Sequence, residues 1–335
     1  MGIFIHAYNA ISPAFPFEIS DEMITIPQSV EGALYCQEPV YKQFITPKLL
    51  RRMSRAVKMG VACALENLKQ TQTEQPDAIL IATGLGCVAD TVKFLDQMTE
   101  NKETLLNPTP FIQSTHNTVS GQIALLLQCK SYNLTFTQNQ FSFETALLEG
   151  MMLLEENQQQ IILVGGVDEL TAESHQLMKS AGCATDGTSG KGYVPGEGAA
   201  FFTLSGEQTQ EDQIELVDLR IVPALDQDMD ITVVIDELLQ SHQLHLSDID
   251  LLLTGENDER SAKKYYGGVF NEKFDELSRI SFKNYCGEYD TASAYALWHA
   301  CTIMSSSDEM SDDANYTLII NHYKVGGYAL FLLKR

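Results

Sequence analysis

The segment from Asn133 to Glu156 has the residue pattern of an active-site elbow. The β-branched and aromatic run NLTFTQ leads through a polar break into a long helix with an apolar face. A sharp turn between a buried strand and a helix is where many α/β enzymes present a nucleophile. This turn contains no cysteine. The chemistry has therefore either been lost from the elbow or was never there.

Metal and disulfide chemistry are not predicted. The seven cysteines form an odd set without a CxxC pair, which argues against a disulfide framework and against a sulfur-rich zinc site. Most of them are expected to be small buried apolar residues. His242, His245 and Asp248 have a loosely metal-like spacing, but three such residues beside a loop are more typical of a solvated helix start. We expect no metal and no cofactor.

The composition is that of an ordinary globular chain. Of 335 residues, 44% are hydrophobic and 20% are charged, and no apolar run approaches the roughly 20 residues that a membrane span needs. The start MGIFIHAYNAISP lacks a basic segment followed by an apolar one, so no signal peptide and a cytoplasmic location are expected. The net charge of -23 argues against nucleic acid as a partner, because phosphate binding needs a basic surface.

One short basic segment departs from the acidic average. It contains Lys48, Arg51, Arg52, Arg55 and Lys58. Their spacing would place several of them on one side of a helix. The plainer interpretation is a solvated basic face with one arginine paired internally. The alternative is a docking stripe for an acidic partner.

Two pairs of passages indicate an internal duplication. PDAILIATGLG, from Pro76, resembles DIDLLLTGEND, from Asp248, and GEGAAFFTLS, from Gly196, resembles VGGYALFLLKR, from Val325. Strands this apolar suit sheets covered on both faces, and the amphipathic stretches between them suit βαβ crossovers. We predict two α/β halves, 1–205 and 211–335. The first is longer, so it should carry the insertions that build binding sites and subunit contacts.

Three spaced motifs resemble one family. STHNTVSGQIALLLQ from Ser114, ILVGGVDE from Ile162 and GYVPGEGAAFFTLS from Gly192 are together similar to the β-ketoacyl synthases of the thiolase-like fold. The resemblance covers nearly the whole chain. It implies an α/β fold of two duplicated halves with layered α-β-α-β-α architecture, in agreement with the repeat.

The resemblance also implies that a cysteine and two histidines should form the catalytic set. The cysteine's place falls on Gln140, which lies 26 residues before Gly166. The first histidine's place falls on Glu256 or Asn257, and the second, in KNYCGEYDTASAYALWHA, falls on Glu288. All three positions are changed. The family is an acyltransferase family, but this chain is not expected to be catalytic by itself.

Other groups near these positions are weaker candidates. Ser142 and Cys286 could reach the same pocket, but a serine without a base is inert and the cysteine is expected to pack. For the two histidines nearest to pocket motifs, structural hydrogen bonding is the safer interpretation. The predicted substrate-tunnel residues are Phe141, Phe143, His116, His322, Gly326 and Gly327.

The favoured function is that of a chain-length-factor-like subunit. Such homologues carry glutamine in place of the cysteine, pair with an active β-ketoacyl-ACP synthase in fatty acid, polyketide or aryl-polyene biosynthesis, and shape the acyl tunnel. The strand NLTFTQ would then pair with its counterpart in the partner. Because carrier proteins are acidic, the acyl carrier protein should be engaged indirectly, through the partner.

Two alternatives stay open at this point. The chain could be a malonyl-ACP decarboxylase, or a β-ketoacyl-ACP synthase with an unorthodox active site, although a carboxylate at 288 would repel a malonyl group. It could also be a homodimeric acyl-binding scaffold. Neither the product, its chain length nor the choice between homodimer and heterodimer follows from the sequence.

Overall fold

The computed structural model describes residues 2–17, 24–185, 192–223, 230–256, 265–266, 274, 277–306, 315–323 and 326–335. Its strands are β1 (Phe4–Ile11), β2 (Ala78–Ala82), β3 (Tyr132–Phe136), β4 (Ile162–Asp168), β5 (Gly198–Ser205), β6 (Glu215–Val222), β7 (Leu251–Thr254), β8 (Ser278–Ser281), β9 (Tyr316–His322) and β10 (Tyr328–Lys334). Its helices are α1 (Pro47–Leu50), α2 (Arg55–Gln70), α3 (Val88–Glu100), α4 (Pro108–Gln113), α5 (Thr118–Leu127), α6 (Ser142–Glu156), α7 (Ala172–Ser180), α8 (Ile231–Ser241), α9 (Lys283–Cys286) and α10 (Ala292–Ser305). Two short 3-10 helices span Tyr41–Gln43 and Leu246–Asp248.

The order of the strands in the sheet shows the internal duplication. The ten strands run β3-β2-β4-β5-β1-β6-β10-β9-β7-β8. In the first half β2 is parallel to β3 and β4, and β5 is antiparallel to β4 and β1. The second half repeats this pattern, with β7 parallel to β8 and β9, and β10 antiparallel to β9 and β6. The two matched pairs of sequence passages are therefore the second and the fifth strand of each half.

Within the sheet, the two halves are joined by a short strand pairing. Strands β1 and β6 are paired at Phe4 and Glu215, and the connection between β5 and β6 runs over residues 206–214. The duplicated α/β fold expected from the sequence is confirmed. The domain bounds 1–205 and 211–335 stay a prediction.

Alternation along the strands produces the layers. In β2, Leu80 packs into the central core with α6 and α10, whereas Ile79 and Ile81 pack into an outer core with α2 and α5. This is the period-two pattern of a strand covered on both faces. The second half has its own outer core, under α8. The order is thus helices, sheet, the central pair α6 and α10, sheet, helix. Within the described ranges, no helix has the length and apolar character needed to cross a bilayer.

The predicted continuous helix through the basic segment is wrong. Helix α1 ends at Leu50, and α2 begins only at Arg55. The break has a local cause, because the Ser54 hydroxyl accepts a hydrogen bond from the backbone N–H of Val57 and so caps α2. Lys48, Arg51 and Arg52 therefore lie before this cap and do not continue a stripe along α2.

Candidate functional site

The elbow between β3 and α6 is held in an uncommon backbone shape. Asn139 and Phe141 have φ values of 59° and 65°, in the left-handed region, and Gln140 lies between them. For a phenylalanine this conformation costs about 1–3 kcal/mol and persists only where surrounding contacts impose it. Here the Ser142 hydroxyl donates to the carbonyl of Asn139 at 2.7 Å, and the Thr145 hydroxyl donates to that of Phe141 at 2.8 Å. The glutamine thus lies at the centre of a strained elbow that local hydrogen bonds hold in place.

The two substitute nucleophiles considered from the sequence are not activated. The Ser142 hydroxyl is committed to Asn139. Cys286 is fully buried, burial raises the pKa of its thiol, and its Sγ donates to the carbonyl of Gly287 at 3.3 Å. A thiol in this environment does not ionise near neutral pH and behaves as a packing residue.

Glu288, which was predicted to replace the second histidine, belongs to a buried ion pair. Its Oε2 lies 2.9 Å from Nζ of Lys283, and the two side chains are 4% and 1% exposed. The same ammonium approaches the carbonyl of His322 at 3.4 Å. Gly287, with φ of 77°, makes the turn between α9 and Glu288 and donates its backbone N–H to the carbonyl of Lys283. The carboxylate therefore faces an internal cation.

Glu256 lies two residues after the end of β7. Its carbonyl accepts a hydrogen bond from the Ser281 hydroxyl at 2.9 Å, and its Oε2 is buried without a hydrogen-bond partner among the described residues. The neighbouring Gly255 donates to the Tyr266 hydroxyl, which also accepts from the backbone N–H of His322 at 2.9 Å. The alternative position, Asn257, lies outside the described residues.

The two candidate histidines lie in different surroundings. His322 is buried, with its ring stacked on Tyr265 at a centroid distance of 3.5 Å and edge-on to Tyr328 at 4.9 Å. His116 is exposed on the turn before α5, against Gly86. The structure joins His322, through its backbone, to the Lys283 and Glu288 pair. For His116 the tunnel role stays a prediction.

The terminal glycine loop closes tightly onto Tyr323. Gly326 and Gly327 both have φ of 94°, a conformation that side chains disfavour. Gly326 donates its backbone N–H to the carbonyl of Tyr323 at 2.9 Å, and Tyr323 donates to that of Gly327 at 3.1 Å. The loop thereby fixes the end of β9, from which Tyr323 reaches toward the elbow.

Phe141 and Phe143 point to different parts of the molecule. The half-buried ring of Phe141 packs on Tyr323, with 4.4 Å between ring centroids. Phe143 is fully buried, near Phe202 at 5.8 Å and Phe331 at 6.5 Å. Only Phe141 lies at the edge of the elbow. That either ring sets the depth of a tunnel stays a prediction.

Three buried polar residues below the elbow were missed from the sequence. Tyr323 donates to a carboxylate oxygen of Glu144, and the hydroxyls of Ser293 and Tyr323 lie 3.2 Å apart. Burial raises the pKa of Glu144 and, well above 10, that of Tyr323. One signal was present, because Glu144 falls three residues before Leu147 on the apolar face of α6.

The cations of the basic segment differ in their contacts. Arg55 pairs with Glu38 and with the fully buried carboxylate of Glu197, which also accepts the backbone N–H groups of Cys36 and Leu170. Arg55 is thus the internally paired arginine. Lys48, Arg51 and Arg52 are exposed and Lys58 is half-buried. Docking at these residues stays a prediction.

His242, His245 and Asp248, whose spacing loosely resembles that of metal ligands, do not converge on one point. His242 lies 2.9 Å from Asp218, and the carboxylate of Asp248 accepts the backbone N–H of His245 at 2.7 Å. Across the part of the chain that the structure describes, no group of three or more histidine, cysteine, aspartate or glutamate side chains is placed to hold a metal ion.

Comparison with known proteins agrees with this geometry. Residues 28–189 match the family model of the β-ketoacyl synthase N-terminal domain. No curated protein sequence gave a significant match. Among solved structures, the chain is similar to the ishigamide ketosynthase/chain length factor, with a TM-score of 0.80, 17% identity, and coverage of 99% of this chain and 98% of that one.

Two further solved structures have the same overall shape. A β-ketoacyl synthase from Burkholderia phymatum gives a TM-score of 0.78 at 14% identity, covering 100% of this chain and 99% of that chain. A ketosynthase in complex with its chain length factor from Xenorhabdus doucetiae gives 0.78 at 14% identity, covering 99% and 98%. Residues 28–189 are therefore similar to a β-ketoacyl synthase N-terminal domain, and the whole chain has the fold of these ketosynthase structures.

Proposed function

We propose that this chain is a non-catalytic, chain-length-factor-like subunit. It pairs with a cysteine-bearing β-ketoacyl-ACP synthase in fatty acid, polyketide or aryl-polyene type biosynthesis and forms one wall of the acyl tunnel. The observation that supports the proposal is the strained elbow with Gln140 at its centre, together with the ion pair that binds Glu288 to Lys283. An amide cannot attack a thioester or ionise, but it donates and accepts hydrogen bonds.

The open edge of the sheet supports a partner subunit. Strand β3 ends the strand order and, among the described residues, is paired on one side only, with β2. Tyr132 and Leu134 on β3 are 44% and 38% exposed, and Leu125 on α5 is 71% exposed. An apolar edge strand invites pairing with another strand. A ketosynthase presenting its equivalent strand would cover this edge and continue the sheet.

Carrier-protein contact is proposed to be mainly the partner's task. The net charge of -23 repels an acidic carrier. If this subunit contributes at all, the exposed cations Lys48, Arg51 and Arg52 are the docking groups we propose, since Arg55 is occupied by Glu38 and Glu197. We place the protein in the cytoplasm, where its partner would act.

The test is co-expression with a cysteine-bearing ketosynthase, malonyl-carrier and a primer, with product lengths measured by mass spectrometry. The proposal requires product only when both subunits are present, and a shifted length with Phe141→Ala. Val233→Ala is the matched control, because Val233 is an exposed apolar residue on α8. Release of carbon dioxide from malonyl-carrier by this chain alone would favour the decarboxylase. A homodimer that binds acyl chains without a ketosynthase would favour the scaffold.

A further inference from the structure

A buried carboxyl–phenol pair lies directly below the elbow. Glu144 lies four residues after Gln140, in the first turn of α6, and is 0% exposed, and Tyr323 is 1% exposed. The Tyr323 hydroxyl donates to Oε1 of Glu144 and lies 3.2 Å from the Ser293 hydroxyl. Buried polar groups are expensive unless they are paired, so this cluster holds its members in one arrangement.

The pair connects the two halves of the molecule at the elbow. Glu144 belongs to α6 of the first half, whereas Tyr323 follows β9 and Ser293 lies on α10 of the second. The far side of Tyr323 is fixed by the glycine loop, since its backbone exchanges hydrogen bonds with Gly326 and Gly327. Tyr323 is therefore held from both its hydroxyl and its backbone.

The same tyrosine supports the strained residue of the elbow. Its ring packs on Phe141 at 4.4 Å between centroids and 60° between ring planes. Phe141 needs such support because its left-handed conformation is unfavourable for a residue with a side chain. Contacts from Thr145 hold the backbone of Phe141, but the ring itself rests on Tyr323.

We infer that Glu144 and Tyr323 are positioning residues that impose the shape of the elbow and the direction of the Phe141 ring. The carboxyl group of Glu144 fixes the hydroxyl of Tyr323 and thereby the orientation of the tyrosine ring, and the packing of that ring sets the rotamer of Phe141. For the elbow itself the inference stands on these contacts. Its consequence, that the pair determines the tunnel wall offered to an acyl chain, rests on the proposed function.

The alkylation rate of a cysteine introduced at the elbow reports on the shape of the elbow, and the measurement needs no partner subunit. In a Gln140→Cys chain, the thiolate displaces iodide from iodoacetamide, and the exposed Cys183 of the same molecule serves as the internal reference. The ratio of alkylation at the two positions is read by peptide mass spectrometry. We expect Tyr323→Phe to raise this ratio about tenfold, which corresponds to loss of a hydrogen bond of about 1.4 kcal/mol.

Matched variants separate positioning from general loosening. Glu144→Gln keeps an oxygen that accepts from Tyr323, so its ratio should stay within about twofold of the parent. Tyr316→Phe removes a hydroxyl at the other end of β9 and should leave the ratio unchanged. An unchanged ratio in Tyr323→Phe would overturn the inference, as would an equal rise in Glu144→Gln or in Tyr316→Phe.

The tunnel consequence is measured separately in the assembled enzyme. With a cysteine-bearing ketosynthase, Tyr323→Phe should shift the product-length distribution while the heterodimer still forms, and Glu144→Gln should keep the parental lengths. Unchanged lengths in an intact heterodimer contradict the consequence for the tunnel. Absence of any heterodimer with the parent chain refutes the proposed function, and the alkylation result still decides the inference.

Discussion

Removal of Glu288 should destabilise the fold strongly. In Glu288→Ala, the ammonium of Lys283 stays buried with one carbonyl, from His322 at 3.4 Å, in place of a carboxylate at 2.9 Å. With both side chains at most 4% exposed, screening by water is small. Breaking a buried pair from one side costs about 3–5 kcal/mol. That is a large share of the roughly 5–15 kcal/mol that stabilises a typical protein.

Urea unfolding of four chains tests this reasoning. The comparison includes the parent, Glu288→Ala, Lys283→Met and the double variant Lys283→Met with Glu288→Leu. Unfolding of each chain is monitored by the fluorescence of Trp298. The double variant should unfold within about 1–2 kcal/mol of the parent, because two apolar groups of similar size leave no unpaired charge. A Glu288→Ala loss below about 1 kcal/mol, or a double variant worse than either single one, would refute the argument.

Three further predictions concern pH and assembly. Burial lowers the pKa of His299 from 6.5 to about 4, so the contribution of this residue should fall by about 3 kcal/mol as pH falls between these values, measured as the difference between parent and His299→Leu in urea unfolding from pH 7 to 4. Burial raises the pKa of Glu144 above its usual 4.5, so the contribution of this residue should fall as pH rises past that value, measured as the difference between parent and Glu144→Gln over the same pH series. Leu134→Lys on β3 should weaken heterodimer formation more than tenfold in size-exclusion binding, whereas Val233→Lys should not, and equal effects would contradict pairing at this edge.

The fold could be predicted because its signals are local. Each half repeats an apolar strand that ends in Thr-Gly, and these strands, β2 and β7, occupy equivalent places in the sheet. Spacing between motifs likewise predicted Gln140 and Glu288 at family positions. The periodicity of the basic residues did not predict the break between α1 and α2, because the break depends on Ser54, a capping residue that starts a new helix.

The side-chain pairing could not be predicted, because it depends on packing between distant segments. Arg55 and Glu197 are 142 residues apart, and Glu144 and Tyr323 are 179 apart. Nothing in the local pattern of one segment specifies the other. Lys283 and Glu288 are close in sequence, but their contact requires the turn at Gly287 with its φ of 77°.

The buried Lys283 also limits how this sequence can change over evolutionary time. A histidine introduced at position 288 alone would remove the counter-charge of an internal cation and burden folding. A change at position 283 alone would likewise leave the carboxylate of Glu288 buried without its cation. Positions 283 and 288 are therefore expected to vary together among related sequences, because either single change passes through a destabilised chain.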